Sequence, residues 1–356
     1  MSDLRARAQA LCDRFVAAGA QAVNPPVLQP ADLLLDLYGE DIRGRAYVTS
    51  DAMRGEQMLR PDFTVPVVQM HMAHGADPAR YTYAGEVFRR QEADPDRASE
   101  YLQVGYEVFE RSDPAAADAE VFSLISQAVE PLSLRAATGD IGILMDAVDG
   151  LNTTPRRKAA LRRHIWRPRR FRALLDRFGG RTPVPDSRRA VLAGEVDADA
   201  PLHGLRTRDE VDARIAALIE DAAEPLISNA EMEGLDALLA VRETLPYALS
   251  RLHDLKVDLP AITTAVARVD ARTEALAKRG VEVETLEFEA SYGRTSMEYY
   301  DGFVFGFYAE SRPDLPPIAT GGRYDALTRR LGGGAAIPAV GAVLRPDLMA
   351  LLEGSA

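Results

Sequence analysis

A single cysteine, Cys12, stands in 356 residues. That excludes an internal disulfide and any cluster of thiolate ligands around a metal. No apolar run approaches the roughly 18 residues that a membrane span needs. The N-terminal stretch MSDLRARAQALCDRF is charged, with helical spacing, and has no apolar core of a signal peptide. A cytoplasmic protein with no membrane partner is the expectation. Internal repeats and low-complexity tracts are lacking as well.

Positive charge is in deficit. The formal net charge of −12 argues against a surface built as a whole for nucleic acid. The deficit is uneven, because the segment from Pro155 to Arg181 holds eleven Lys/Arg against one Asp. A hydrophobic content of 47% over this length is enough for a large core and two lobes.

The periodicities predict an α+β chain. Residues 2–18 carry apolar side chains at helical spacing until Gly19. A short strand broken by Pro25 and Pro26 leads to a helix near Ala31, then a hairpin turning at Arg54-Gly55 and a helix from Thr64. Asp113 followed by Pro114 marks another helix start. From about 155 to 280 the pattern is helix upon helix, and strands resume afterwards, including one predicted across EYYDGFVFGFYAE. The expected architecture is a largely antiparallel sheet flanked by helices. Residues 1–150 and 281–356 form its core, and 151–280 form a mainly helical insert.

Residues 88–110, FRRQEADPDRASEYLQVGYEVFE, read as a strand, a charged loop and a strand. In the second strand Leu102, Val104, Tyr106 and Val108 share one face, and Gln103, Gly105 and Glu107 the other. A glycine between an amide and a carboxylate leaves room for something to lie against the sheet. The alternative is a polar sheet surface with no ligand. His71 and His74 have metal-like spacing but no evident third ligand, so no metal is expected.

Four segments in order, VNPPVLQPADLL, LRPDFT, FRRQ…SEYLQVGYEVF and EYYDGFVFGFY…TGGRYDALTRRLGG, resemble the catalytic domain of class II histidyl-tRNA synthetases. They look closer still to the non-synthetase relatives of those enzymes, the regulatory subunits of ATP phosphoribosyltransferase. The resemblance implies a six- to seven-stranded antiparallel sheet with an amino-acid pocket on its polar face. It also implies a homodimer whose two-fold runs near Pro26 and Val27. The histidine-recognition positions it marks are Asp62, Thr64, Gln103, Glu107, Tyr299, Tyr300 and Tyr324, with Arg89 at the family's phosphate-gripping arginine. Carboxylates accept hydrogen bonds from an ammonium or imidazole N–H, and tyrosines supply a wall and a hydroxyl. A buried Glu107 needs a partner, either a ligand or an internal cation such as Arg89.

Against that family's pattern, the ATP-handling groups are depleted. Gln91 replaces an acid two residues after Arg89. The third motif opens at Gly341, but Leu348 holds its arginine position and Pro346 interrupts the helical run. Thr295 fills the slot of the histidine-specific arginine, with Arg294 one residue off register. The loop between Arg90 and Gln103 sets Glu92, Asp94, Asp96 and Glu100 against Arg97 alone, which would repel phosphates. No anticodon-binding domain is expected after the third motif.

The resemblance therefore implies a subunit without catalysis or cofactor of its own. It would join the short-form catalytic subunit of ATP phosphoribosyltransferase in a hetero-oligomer, at the first step of histidine biosynthesis, and carry histidine feedback. The rivals are a truncated histidyl-tRNA synthetase-like enzyme forming histidyl-adenylate and a free-standing histidine sensor. The basic segment has three readings: a solvated helical face, a nucleic-acid contact, or a surface of Arg163, Trp166, Arg167, Arg169 and Arg170 that docks a partner or its anions.

Overall fold

The computed structural model describes residues 2–38, 42–91, 97–195, 204, 206–294 and 299–354. Among these residues, nine strands form the main sheet. In spatial order they are β1 (Gln21–Ala22), β5 (Ala79–Phe88), β6 (Glu100–Phe109), β12 (Ala339–Leu344), β11 (Ala319–Arg323), β10 (Phe303–Tyr308), β7 (Arg135–Asp140), β9 (Glu287–Glu289) and β8 (Arg242–Thr244). A second sheet orders β2 (Leu28–Pro30), β4 (Gly55–Leu59) and β3 (Val48–Asp51).

The sheet is wider than expected and mixed rather than antiparallel throughout. The β1–β5 and β7–β9 pairs are parallel, and the other six pairs of this sheet are antiparallel, as at β5–β6 and β6–β12. A parallel pair needs a long crossover. The helical insert supplies one between β7 and β9, and its own short strand β8 closes that edge beside β9. Tyr299 and Tyr300, expected within a strand, precede β10 in the connecting segment.

The two faces of the sheet differ in kind. Phe303, Phe305 and Phe307 of β10 point to one side and surround Phe122 of the helix Pro114–Val129, with ring centroids 6.2, 5.1 and 5.4 Å away. That helix starts where the sequence predicts, with Asp113 accepting from the Ala116 N–H and Pro114 in its first turn. Behind the sheet Asp118 accepts from Arg323 (2.7 Å) and Arg272 (3.4 Å), and Arg272 also reaches Asp140 at 2.9 Å. These four buried charges tie two helices to β7 and β11, each ion paired as burial demands.

The other face is paved with glycine. The strand registers place Gly85, Gly105, Gly341, Gly322, Gly306 and Gly139 on the side of Gln103 and Glu107. No described helix is long and apolar enough to cross a membrane.

Candidate functional site

Glu107 is the centre of the glycine-paved face and is 1% exposed. Three hydroxyls donate to it: Thr64 Oγ1 at 3.0 Å, Tyr83 OH at 2.9 Å and Tyr324 OH at 2.6 Å. These three bonds come from hydroxyls, where the expectation was a ligand or an internal cation such as Arg89. Hydroxyls stabilise the charge without bringing a second ion into the interior. Burial still dominates and, with the nearby charge of Asp62, pushes Glu107 up to about 7. The same burial and the Glu107 charge hold Tyr83 and Tyr324 well above the usual phenol value, so both remain donors.

The sequence makes this arrangement by placing each donor on a separate element. Thr64 opens the helix Thr64–His74, and the Asp62 carboxylate just before it accepts from the Val65 N–H at 3.3 Å. Tyr324 follows β11, and Tyr83 lies on β5 opposite Gly105. Room over Gly105, expected for a ligand, is filled by the Tyr83 ring, which a methyl group there would overlap. A methyl on Gly341 would likewise collide with the Glu107 carboxylate, and one on Gly322 with the Tyr300 ring. Tyr299 packs edge-on against Tyr300 and Tyr324, with centroids 4.9 and 6.1 Å apart.

Asp62, Thr64, Gln103, Glu107, Tyr300 and Tyr324 are all buried, with Tyr299 half-buried beside them. Gln103 is 1% exposed, and its Oε1 has no hydrogen-bond partner among the described residues. A buried amide oxygen without a donor is costly and marks a place where a ligand N–H fits. Sequence reasoning missed Tyr83 and Arg60. Alternation along β5 from Gly85 to Tyr83 would have placed that tyrosine on the polar face. Arg60 donates to the carbonyls of Pro25 (2.6 Å) and Glu86 (2.9 Å) and lies 3.9 Å from the Phe63 ring centroid, which in turn stacks on Tyr83.

The end of the face near Arg89 and Leu348 looks different. Arg89 Nε donates to the Pro61 carbonyl at 2.7 Å, so it holds the loop that carries Asp62. Leu348 is half-buried and lines a cavity of about 360 Å³ with Arg97, Tyr101 and Arg345. Pro346 starts the helix Pro346–Glu353 instead of interrupting one, because its missing N–H costs nothing in a first turn. Arg345, overlooked in the sequence, donates to the Pro317 carbonyl, and burial together with Arg89 and Arg97 lowers its pKa. Gln91 donates to the Ala98 carbonyl at 3.1 Å. Thr295, Glu92, Asp94 and Asp96 lie outside the described residues.

The basic segment divides in two. Arg157 is buried on Asp221 at 2.7 Å, Arg162 pairs with Asp149, and Arg172 and Arg181 share Asp236. Arg163, Arg167, Arg169 and Arg170 are exposed, while Trp166 is half-buried with its indole N–H lacking an acceptor among the described residues. His71 is buried, stacked on Phe109 at 3.8 Å and 3.2 Å from the Tyr81 hydroxyl. The side chain of His74 lies outside the described residues, and no group of potential metal ligands occurs among those described.

The sequence model of the histidyl-tRNA synthetase family matches residues 2–199 and 202–349. An ATP phosphoribosyltransferase regulatory subunit of Brucella ovis is 32% identical over 361 residues, covering 94% of this chain and 94% of that protein. The one of Brucella abortus is also 32% identical over 361 residues, with 94% and 93% covered. Among solved structures, an ATP phosphoribosyltransferase regulatory subunit/histidyl-tRNA synthetase from Bacillus halodurans superposes with a TM-score of 0.68 at 21% identity, over 98% of this chain and 79% of that one. The histidyl-tRNA synthetase from Nostoc sp. PCC 7120 gives 0.65 at 15% identity, over 99% and 71%. At these identities the two structures show a shared class II fold. The chain belongs to the histidyl-tRNA synthetase-like family, in the branch of the ATP phosphoribosyltransferase regulatory subunits.

Proposed function

We propose that this chain is a non-catalytic regulatory subunit that assembles in the cytoplasm with the short catalytic subunit of ATP phosphoribosyltransferase, is required for that subunit's activity, and senses histidine on its glycine-paved face. One observation carries the reading. The buried recognition groups around Glu107 persist, while the third-motif arginine is replaced by Leu348. An aliphatic side chain supplies no charge to a pentavalent phosphate.

In the bound state Glu107 accepts the imidazole N–H, and the free Gln103 Oε1 and Asp62 take the α-ammonium. Tyr300, now lying over Gly322, is the cover that the ligand displaces. Feedback is then a coupling free energy between this pocket and the partner's active site. The homodimer face is the small sheet, where Val27, Leu28, Tyr47 and Val48 are exposed together.

The test is to co-purify the chain with the same cell's short-form catalytic subunit and assay phosphoribosyl transfer with and without it, titrating histidine. Activity that is independent of this chain overturns the regulatory reading. The rival, a histidyl-adenylate-forming enzyme, draws on Arg89 and Arg345 near the cavity that Leu348 lines. Histidine-dependent ATP–pyrophosphate exchange by the pure protein would establish that rival, and its absence is expected.

A further inference from the structure

Trp166 is the one tryptophan of the sequence and lies between the first two helices of the insert, Pro155–Arg163 and Pro168–Phe178. It lines a cavity of about 300 Å³ together with Tyr299, Asp301, Arg268, Arg329 and Arg330. Other parts of the wall follow β7 (Gly142 and Asp146) or lie in the helix Asp325–Leu331 beyond β11. The cavity therefore sits at one end of the strands, where the insert meets them. The Trp166 indole N–H is buried and finds no acceptor among the described residues. A buried donor without an acceptor is costly, and an acceptor brought by a ligand removes that cost.

Arginine outnumbers acid around this hollow. Arg162 is taken by Asp149, and Arg268 lies 3.3 Å from Asp146. Arg330 donates to the Asp36 carbonyl, which carries no charge, and Arg329 has no acid partner among the described residues. The remaining acid of the wall, Asp301, accepts from the Asp325 and Ala326 N–H groups at 2.9 and 2.6 Å. Burial and the neighbouring Asp325 push it up to about 7, so near neutrality it is partly protonated and offers less than a full negative charge. Arg329 and Arg330 are exposed and need no partner for their own sake. Their placement matters because charges of one sign around a concave site concentrate the opposite ion there. Arg268 is set into the wall itself. Its Nη2 lies 3.0 Å from the point that a methyl on Gly142 would occupy, and the Asp301 carbonyl oxygen lies 3.1 Å from the same point.

We infer that this strand-end cavity binds a small anionic molecule, with Arg329, Arg330 and Arg268 holding its phosphate or carboxylate and the Trp166 indole N–H donating to an acceptor on the same ligand. It is a different site from the Glu107 pocket. Asp62, Thr64, Gln103, Glu107 and Arg294 are absent from its wall. The paired tyrosines stand between the two, with Tyr299 edge-on to Tyr324, whose hydroxyl reaches Glu107. The inference rests neither on histidine binding nor on the regulatory role.

The experiment uses the full chain, with inorganic phosphate, pyrophosphate and succinate as probes at constant ionic strength set by potassium chloride. Trp166 emission reads the site directly, because no other tryptophan contributes, and calorimetry gives the affinity. Both are measured on wild type, Arg329→Gln, Arg268→Gln and, as a control for the loss of one exposed charge, Arg14→Gln on the first helix. The expected result is a saturable change of Trp166 emission with at least one probe beyond the chloride control. Affinity should fall about tenfold in Arg329→Gln, Arg268→Gln or both and stay unchanged in Arg14→Gln. A response to phosphate or pyrophosphate alone identifies a phosphorylated ligand, one to succinate alone a carboxylate, and one to all three a site that reads charge. No response in wild type overturns the site, as does unchanged affinity in both cavity variants. An equal loss in Arg14→Gln also overturns it, since the attraction would then be diffuse. If Arg268→Gln does not fold, the exposed Arg329→Gln decides alone.

Discussion

The two ends of one sheet face have kept different chemistry. At the end proposed to hold histidine, Asp62, Thr64, Gln103, Glu107 and Tyr324 are buried and mutually arranged around a carboxylate. At the other end, Leu348 holds an arginine's place, and Arg89 and Arg345 donate to the backbone carbonyls of Pro61 and Pro317. The difference teaches that recognition and phosphate handling are separable, because they rest on different physics. A recognition pocket needs hydrogen bonds within one local cluster. Phosphate chemistry needs free charges aimed across a gap, and here those arginines have become fasteners for loops.

Gly341→Ala should break the comparison most sharply. The added methyl meets the Glu107 carboxylate, so histidine binding should fall at least a hundredfold by calorimetry, with about 1–3 kcal/mol of stability lost to overpacking. Survival of full affinity would mean that Glu107 is not part of the pocket.

A pH series sharpens the same contrast. Glu107 ionises near 7 in the folded chain against an ordinary 4.5. Between those values the folded state keeps a proton that the unfolded state has released. The stability from this protonation is full below 4.5 and is lost as pH rises through about 7. The loss should reach about 3 kcal/mol, read by urea unfolding as the difference between wild type and Glu107→Gln. The comparison with the variant removes the parallel contribution of Asp301, which burial and Asp325 also raise to about 7. Identical pH profiles would show that Glu107 is not perturbed.

A third contrast lies within the basic segment. Reversing Arg163, Arg169 and Arg170 to Glu should weaken assembly with the catalytic subunit roughly tenfold at low salt, less at high salt, with the fold intact. Unchanged assembly would return these residues to a solvated face. The smallest effect belongs to the Leu348 end, where Leu348→Ala should cost about 1 kcal/mol of stability and leave histidine affinity unchanged. A large loss of affinity there would reunite the two ends.

Much of the frame was legible because it follows local rules. Asp113-Pro114 capped its helix, Arg54-Gly55 turned its hairpin, and alternation put Gln103 and Glu107 on one face. What was hidden depends on partners distant in sequence. Nothing near Glu107 announces that Tyr324, 217 residues on, donates to it. Pro346 was misread because a proline that breaks a helix interior also begins one. The parallel pairs could not be read from strand patterns, since β9 joins β7 where the insert returns the chain and β1 joins β5 only after the small sheet has intervened.

The glycine paving has a consequence for genetics. At Gly105 and Gly341 the space above the backbone belongs to side chains of this chain, and at Gly322 to the Tyr300 ring together with the Phe303 carbonyl. A substitution at any of them evicts Tyr83, Glu107 or Tyr300 from its seat. In a screen for strains blind to histidine, such alleles should turn up beside true contact mutants and pass for them. Position alone will not tell the two classes apart. Second-site suppressors will, because a shortened neighbour can make room for a methyl group but cannot replace a lost carboxylate.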